Sequence, residues 1–233
     1  MSDNESQSAD DQATTSADKD QGPGLLPALI ALVAIGGMLM LITFAGMAWW
    51  IFSNQSKLAL PALRDGFIPQ VEQSRLSPEQ KTPIIEHLDA VVEDLASDQL
   101  ESWQVTGVMQ RLQRLPILQW GHLQVLKRFI EDHPNDFPED AALQIDRVFS
   151  GISDGQITGI DASTMLLPVI VTDQNLNDAD LIDPLQTAKV SEVVTSARQI
   201  ADRVKVPDAA GPITPIDVLV RRQIEAGRSQ GGF

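Results

Sequence analysis

The sequence predicts an all-α protein, in which a single N-terminal transmembrane helix is followed by a multi-helix domain with a duplicated helix–turn–helix unit. Three observations predict this class. Residues 25–52 carry no charged side chain. From residue 77 onward, apolar residues recur at three- and four-residue spacing behind helix-capping sequences. No stretch sustains the two-residue alternation that is typical of a half-buried strand.

The first segment, residues 1–24, is predicted to be a disordered acidic tail. Residues 1–22 contain six Asp and Glu, one lysine and no aromatic residue. Such a composition cannot bury enough apolar surface to offset the entropy of ordering the chain.

The transmembrane helix is predicted over residues 25–52. At 1.5 Å per residue these 28 residues would extend about 42 Å, more than the roughly 30 Å of a hydrocarbon core. A buried core helix would be shorter and would carry a polar stripe. A cleaved signal peptide would begin with basic residues and have a shorter apolar run, whereas this run continues through Trp49-Trp50-Ile51-Phe52. We therefore expect residues 25–52 to stay in the lipid bilayer as a single-pass anchor.

The orientation of this helix follows from the basic residues that flank it. Lys19 lies on the N-terminal side, and Lys57 and Arg64 lie on the C-terminal side. Because cytoplasmic flanks carry the excess of Lys and Arg, the soluble domain is predicted to be cytoplasmic.

Residues 53–76, broken by Pro61 and Pro69, are predicted to be a juxtamembrane linker, and residues 77–233 an all-α soluble domain. Ser77-Pro78-Glu79-Gln80 is a capping box that opens the first helix of this domain. The later helices are predicted to run from about 117 to 132, from 138–140, from 183 to about 204, and from 214–217 to about 227. The apolar stretch LLPVIVTD, residues 166–173, is the only one that could form a short strand, and it is interpreted as a helix end.

A duplication is predicted from an ungapped offset of 57 residues. Residues 87–109 align with residues 144–166, so that Leu88 corresponds to Ile145 and Leu95 to Ile152. The turn reads S-D-Q-L in the first copy and D-G-Q-I in the second. Chance agreement between two amphipathic helices is the alternative.

The stretch Ser150–Asp161, SGISDGQITGID, allows three interpretations. G-I-S-D-G fits a nucleophile elbow, but a helix rather than a strand precedes Ser153, and every histidine comes before it. Gly155 at the sixth position of an EF-hand frame leaves Asp154 and Asp161 as the carboxylate ligands, which is too few for calcium. A tight turn at Asp154-Gly155, packed onto the core by Ile157, is therefore predicted.

The composition excludes several kinds of chemistry. The chain has no cysteine, which removes disulfides and thiolate ligands, and its net charge of −15 argues against nucleic acid as a partner. It has no metalloprotease, Walker or dinucleotide-binding motif. His133 with Asp132 and Asp136 is the one candidate metal cluster, and we interpret it as solvated. No catalytic, cofactor-binding or metal residue is therefore predicted, and no cofactor.

One resemblance adds to these inferences. Val148 to Ile157, then Ala201-Asp202-Arg203, Val206-Pro207 and Ile216-Asp217, are similar to helical membrane proteins of planctomycete bacteria whose function is not assigned. The resemblance covers roughly residues 77–225. It implies an all-α domain and transfers no catalytic residue.

The function predicted first is that of a membrane-anchored interaction or scaffold protein, with a protein partner and an oligomeric state that the sequence does not specify. Trp103 and Trp120 are candidate contact residues, although both are predicted to pack in the core. The alternative is a ligand- or calcium-responsive sensor built on the duplicated turns. An enzyme that uses Glu131, Asp132 and Asp136 is a third hypothesis, and we expect the chain not to be an enzyme.

Overall fold

The computed structural model describes residues 25–53, 55–172, 179–209 and 211–230, and these residues are almost entirely helical. The all-α prediction is confirmed. The predicted acidic tail, residues 1–24, lies outside the described residues. The chain divides into two units, Met1–Trp50 and Ile51–Phe233.

The helix of the first unit is α1 (Leu25–Ser53). Residues 29–50 are long and apolar enough to cross a membrane, and none of them is buried. Leu32, Met40 and Phe44 are each more than two-thirds exposed. A surface helix of a globular protein has an apolar side toward the core and a polar side toward water. Helix α1 is apolar around its whole circumference and does not fit that pattern.

The second unit begins with residues that were predicted to form a linker, and here the prediction is wrong. The helices α2 (Gln55–Pro61) and α3 (Ile68–Gln73) are joined by a π-helical segment, Ala62–Phe67. Leu63, Val71 and Leu76 are buried in the core of the unit. The wider π-helical turn lies between Pro61 and Pro69, the residues that break the ordinary helical hydrogen-bond pattern.

The remaining helices follow the predicted order. They are α4 (Pro78–Ala96), α5 (Ser102–Arg114), α6 (Ile117–Asp132), α7 (Ala141–Ser153), α8 (Gly159–Leu166), α9 (Thr187–Arg203) and α10 (Ile216–Gln230). The capping box is present at Ser77 and Gln80, where the Ser77 N–H donates to Gln80 Oε1 at 3.4 Å. Two boundaries differ from the prediction, because α9 begins at Thr187 rather than at Asp183 and α10 extends to Gln230 rather than Gly227.

A short β-hairpin replaces the predicted helix end at residues 166–173. After a single 3-10 turn, β1 (Ile170–Thr172) pairs antiparallel with β2 (Ala179–Leu181), and Ile170 lies opposite Leu181. Each strand has three residues, too few to show a periodic pattern in the sequence.

The core of the second unit lies where two helix–turn–helix units each pack against one later helix. The pair α4–α5 packs against α10, and the pair α7–α8 packs against α9. The backbones of α5 and α10 come very close at Gly227, where an added β-carbon would lie 2.6 Å from the backbone N and Cα of Val108. A larger residue at position 227 therefore cannot be accommodated without moving a helix.

Candidate functional site

The turn at Ser150–Asp161 is a Schellman cap, as the tight-turn interpretation predicts. Gly155 has a left-handed φ of 71°, the Gly155 N–H donates to the Ile152 carbonyl at 3.0 Å, and the Gln156 N–H donates to the Gly151 carbonyl at 2.8 Å. Ile157 is buried and packs against Gly151. The turn is a structural element that reverses the chain.

The hydroxyl of Ser153 is already hydrogen-bonded to two backbone groups. Its Oγ donates to the Phe149 carbonyl at 2.9 Å and accepts from the Thr214 N–H at 3.0 Å. It stands at the end of a helix, whereas a nucleophile elbow needs a strand before the serine.

The same turn occurs 57 residues earlier, so the predicted duplication extends to the backbone. Asp98 has a φ of 53°, its N–H donates to the Leu95 carbonyl, and the Gln99 N–H donates to the Asp94 carbonyl at 2.9 Å. The helices that follow begin with equivalent capping boxes, Glu101 with Gln104 and Thr158 with Asp161. Each of these pairs differs by 57 in residue number.

An EF-hand calcium loop would need the Asp161 carboxylate as a ligand, but this carboxylate is already hydrogen-bonded in the capping box of the second copy. Asp161 Oδ2 accepts from the Thr158 N–H at 3.0 Å and from Thr158 Oγ1 at 2.7 Å, while its Oδ1 pairs with Arg203 at 2.6 Å. Burial would raise the pKa of Asp161, but the hydrogen bonds from Thr158 and the ion pair with Arg203 lower it overall. Within the described ranges no three His, Asp or Glu side chains are close enough to hold a metal ion.

The carboxylates around His133 do not converge. Glu131, Asp132 and Asp136 are all exposed, and Glu131 lies 3.7 Å from Lys127 on its own helix. The His133 Nδ1 lies 2.9 Å from the Phe129 carbonyl, and its ring packs on that of Phe129. This region is a solvated helix end.

The two candidate tryptophans have different environments. Trp120 is 2% exposed and packs against Phe149 with ring centroids 4.5 Å apart, so its predicted core position is confirmed. Trp103 is 48% exposed, and its Nε1 donates to Glu101 at 2.6 Å. The prediction of a core position is wrong for Trp103, because the second position of α5 faces solvent.

An apolar surface stands out on the outer side of α8. Ile160 is 81% exposed and Leu167, directly after the helix, is 65% exposed, with the exposed Ser163 and Thr164 between them. Because these residues are three or four positions apart, they share one side of the helix. Ile160 corresponds to Trp103 at the offset of 57, so both copies expose a large apolar residue at this position.

A recess of about 430 Å³ lies beside this stripe, between α8 and the α5–α6 junction. It adjoins a second recess of about 250 Å³, with which it shares Phe67 and Gln113. None of the described residues lining the two recesses is ionisable, and the polar ones are Gln, Ser and Thr. Gln119 Nε2 donates to Ser163 Oγ at 2.9 Å across the larger recess. We name the surface formed by Ile160, Ser163, Thr164 and Leu167, with Phe67 and Leu118 in the recess, the α8 face.

A third recess, of about 520 Å³, flanks the other side of α8 and is lined by residues of α8 and α9. Ile160 and Thr164 border this recess as well as the recess of about 430 Å³. Asp161 and Arg203, which form the ion pair described above, also line it. The α8 face is thus bounded on this side by charges that neutralise each other.

A buried arginine, which the sequence did not single out, connects α7 to the segment after α9. Arg147 is 3% exposed; its Nε donates to the Pro207 carbonyl at 3.1 Å and its Nη2 to the Val206 carbonyl at 2.7 Å. Its Nη2 also pairs with Asp202 Oδ1 at 2.8 Å. These three partners come from residues 55–60 positions away, where no local pattern identifies them, and one local bond adds to them, from Nη1 to Gln144 Oε1 at 2.9 Å.

A second polar cluster joins β2 to Arg75, in the segment between α3 and α4, close to His122 of α6. Arg75 donates to both carboxylate oxygens of Asp180, at 3.0 and 2.8 Å, which lowers the pKa of Asp180. The Nε2 of the buried His122 lies 3.8 Å from Asp180 Oδ1. Burial lowers the pKa of His122, against the opposite effect of Asp180. The residues of this cluster are up to 105 positions apart.

Comparisons with protein-family models, with curated proteins and with solved structures find no match to this chain. The resemblance of residues 77–225 to planctomycete helical proteins therefore stays a prediction.

Proposed function

We propose that this chain is a membrane-anchored interaction protein, in which α1 holds a helical domain at the bilayer and the α8 face binds a protein. One observation carries the proposal: Ile160 and Leu167 extend into solvent beside an uncharged recess. Scattered apolar residues are ordinary on protein surfaces, but an apolar patch with an adjoining recess is typical of an interaction site.

The anchor is supported by the length and exposure of α1. Residues 29–50 would extend about 33 Å as a helix, which matches a hydrocarbon core of roughly 30 Å. Its apolar side chains have no core to pack against within the described part of its unit. We propose, from the basic residues Lys57 and Arg64, that the domain lies on the cytoplasmic side.

Binding rather than catalysis is proposed because the carboxylates considered for chemistry are either solvated or already bonded. Glu131 and Asp136 are exposed, and Asp161 holds a helix cap and an ion pair. For the same reason the sensor alternative gains no support from the duplicated turns. Nucleic acid remains an unsuitable partner, since residues 51–233 contain 16 Lys and Arg against 26 Asp and Glu.

The test is photo-crosslinking from the α8 face in membranes. A photoreactive amino acid replaces Ile160 in the full chain, and the control carries it at Leu143, an exposed leucine on α7. We expect a discrete protein adduct from position 160 and none from position 143. No adduct, or the same adducts from both positions, would contradict the proposal.

Topology is tested separately by protease protection of tags at Met1 and Phe233. A C-terminal tag that is cut only after lysis, with an N-terminal tag cut in spheroplasts, agrees with a cytoplasmic domain. The opposite pattern would place the domain outside and would move the search for its partner to the cell envelope.

A further inference from the structure

We propose that the α8 face binds a second copy of the same chain, about a two-fold axis. The inference rests on the proposed function of this face and specifies its partner. Three properties of the face support it: its shape, its lack of charge and the kind of polar groups it contains.

The shape of the face is self-complementary. In a two-fold contact both copies contribute the same patch, so the patch must contain both the projecting group and the recess that receives it. Ile160 on α8 and Leu167 directly after it project into solvent, and both side chains also line the recess of about 430 Å³. An aliphatic side chain of one copy can therefore enter the recess of the other while its own recess is filled in return.

The charge of the domain restricts where two copies can meet. Residues 51–233 carry an excess of ten acidic side chains, and like charges that are brought together oppose association. The described residues lining the recess of about 430 Å³ and the adjoining recess are uncharged. Two acidic domains can thus approach through this face, and the carboxylate at its border, Asp161, is paired with Arg203.

The polar groups of the face can bond to their own kind. Gln113, Gln119, Ser163 and Thr164 line the larger recess. Amide and hydroxyl side chains both donate and accept hydrogen bonds, whereas a lysine only donates and an ionised carboxylate only accepts. A face built from such groups can satisfy its hydrogen bonds when it meets an identical face.

A bilayer surface fits the face less well. Segments that lie in the membrane interface combine apolar residues with Lys and Arg, and this face has no basic residue among those that define it.

Helix α8 has only eight residues, so the contact between two copies is small and weak in solution. Confining both copies to one membrane raises their effective concentration and compensates for this weakness.

The test uses the absence of cysteine in the chain, because one introduced cysteine gives an unambiguous cross-link. The full chain with Thr164→Cys is reconstituted in phospholipid vesicles at low protein density and treated with a short bis-maleimide. The matched control is Leu143→Cys. We expect position 164, but not position 143, to give a species of twice the 25.4 kDa chain mass.

A second substitution tests the contact itself. Adding Ile160→Asp or Leu167→Asp to Thr164→Cys should reduce the dimer yield at least severalfold, and adding Leu143→Asp should leave it unchanged. Both side chains are exposed, so the variants should keep the wild-type circular dichroism, which is measured alongside. Substitutions at two separate positions protect the test against a folding defect in one of them.

The possible outcomes distinguish a wrong partner from a wrong function. Equal dimer from both cysteine positions, or a dimer insensitive to Ile160→Asp, would overturn the two-fold contact. An adduct to a different protein in native membranes, with no dimer in vesicles, would overturn it while leaving the interaction function in place. Shielding of a label at position 164 by lipid, without dimer, would assign the face to the bilayer and overturn both.

Discussion

Asp98 and Gly155, 57 residues apart, occupy the same position in their turns, and both have a left-handed backbone with φ values of 53° and 71°. One turn satisfies this conformation with glycine, and the other imposes it on a residue that has a β-carbon. A side chain at such a position costs up to about 1–2 kcal/mol, and somewhat less for aspartate. The two copies therefore share a geometry that only one of them adopts without strain.

Substitutions at these two positions should change the free energy of unfolding in opposite directions. Asp98→Gly should raise the free energy of unfolding by up to about 1 kcal/mol, and Gly155→Ala should lower it by about 1 kcal/mol. A β-carbon at position 155 would meet no other atom within 4 Å, so the loss reports the backbone alone. Thermal unfolding of the full chain in detergent measures both. If both substitutions changed the free energy of unfolding by the same amount in the same direction, the left-handed backbone at these positions would not explain the effects.

Gly227→Ala should destabilise the domain, because the new β-carbon would lie 2.6 Å from the backbone of Val108. Overpacking of this kind costs about 1–3 kcal/mol. The control is Gly66→Ala, where no atom lies within 4 Å of the added carbon and stability should stay the same or rise slightly. Similar melting temperatures for the two variants would contradict the close approach of α5 and α10.

Arg147→Met should lower the free energy of unfolding by about 2–3 kcal/mol. The substitution leaves the Val206 and Pro207 carbonyls without their donor, and an unsatisfied buried acceptor costs about 1–3 kcal/mol. Arg198→Met, which removes an exposed pair with Asp140, should cost less than about 1 kcal/mol. A larger loss at Arg198 than at Arg147 would mean that the buried network does not hold α7 to the segment after α9.

His122 should make the domain less stable as the pH falls below the ordinary histidine pKa of 6.5. The folded pKa is lowered, first by burial, so the unfolded chain takes up the proton at a higher pH than the folded chain does. Protonation then favours unfolding, and the loss grows until the pH reaches the folded pKa. The loss from Asp180, whose folded pKa is also lowered, should come only near and below its ordinary pKa of 3.8.

His122→Gln should remove the dependence between pH 6.5 and the lowered folded pKa. Unfolding curves of both chains, recorded across that range, measure the difference. A loss of stability that persists unchanged in His122→Gln would assign it to other groups.

Calcium should leave the melting temperature of the chain unchanged, whether added in excess or removed by a chelator. The carboxylate of Asp161 already bonds Thr158 and Arg203, and Gly155 supplies only a backbone conformation. A ligand that binds only the folded state raises the melting temperature, so an upward shift with calcium would revive the sensor hypothesis.

The sequence predicted those elements whose signals are local. The bounds of α6, the capping box at Ser77 and the turn at Gly155 agree with their predictions because each depends on residues only a few positions apart. The duplication could also be found, since it repeats a local pattern without a gap.

The features that the sequence missed depend on distant partners. The hairpin was missed because β1 has three residues and is recognised only by its pairing with β2. The linker was predicted from Pro61 and Pro69, whereas burial of Leu63 and Val71 against later helices keeps this segment helical. The α8 face could not be predicted because Ile160 fits an ordinary amphipathic helix, and its exposure follows only from where α8 packs.

The order of elements along the chain has a consequence for synthesis. Helix α10 packs against α4 and α5, which are made more than a hundred residues earlier. Until α10 has been made, α5 lacks the helix whose Gly227 packs closely against Val108. The packing of the domain is therefore incomplete until α10 has emerged from the ribosome, and a chain truncated before residue 216 would leave this side of α5 open to aggregation.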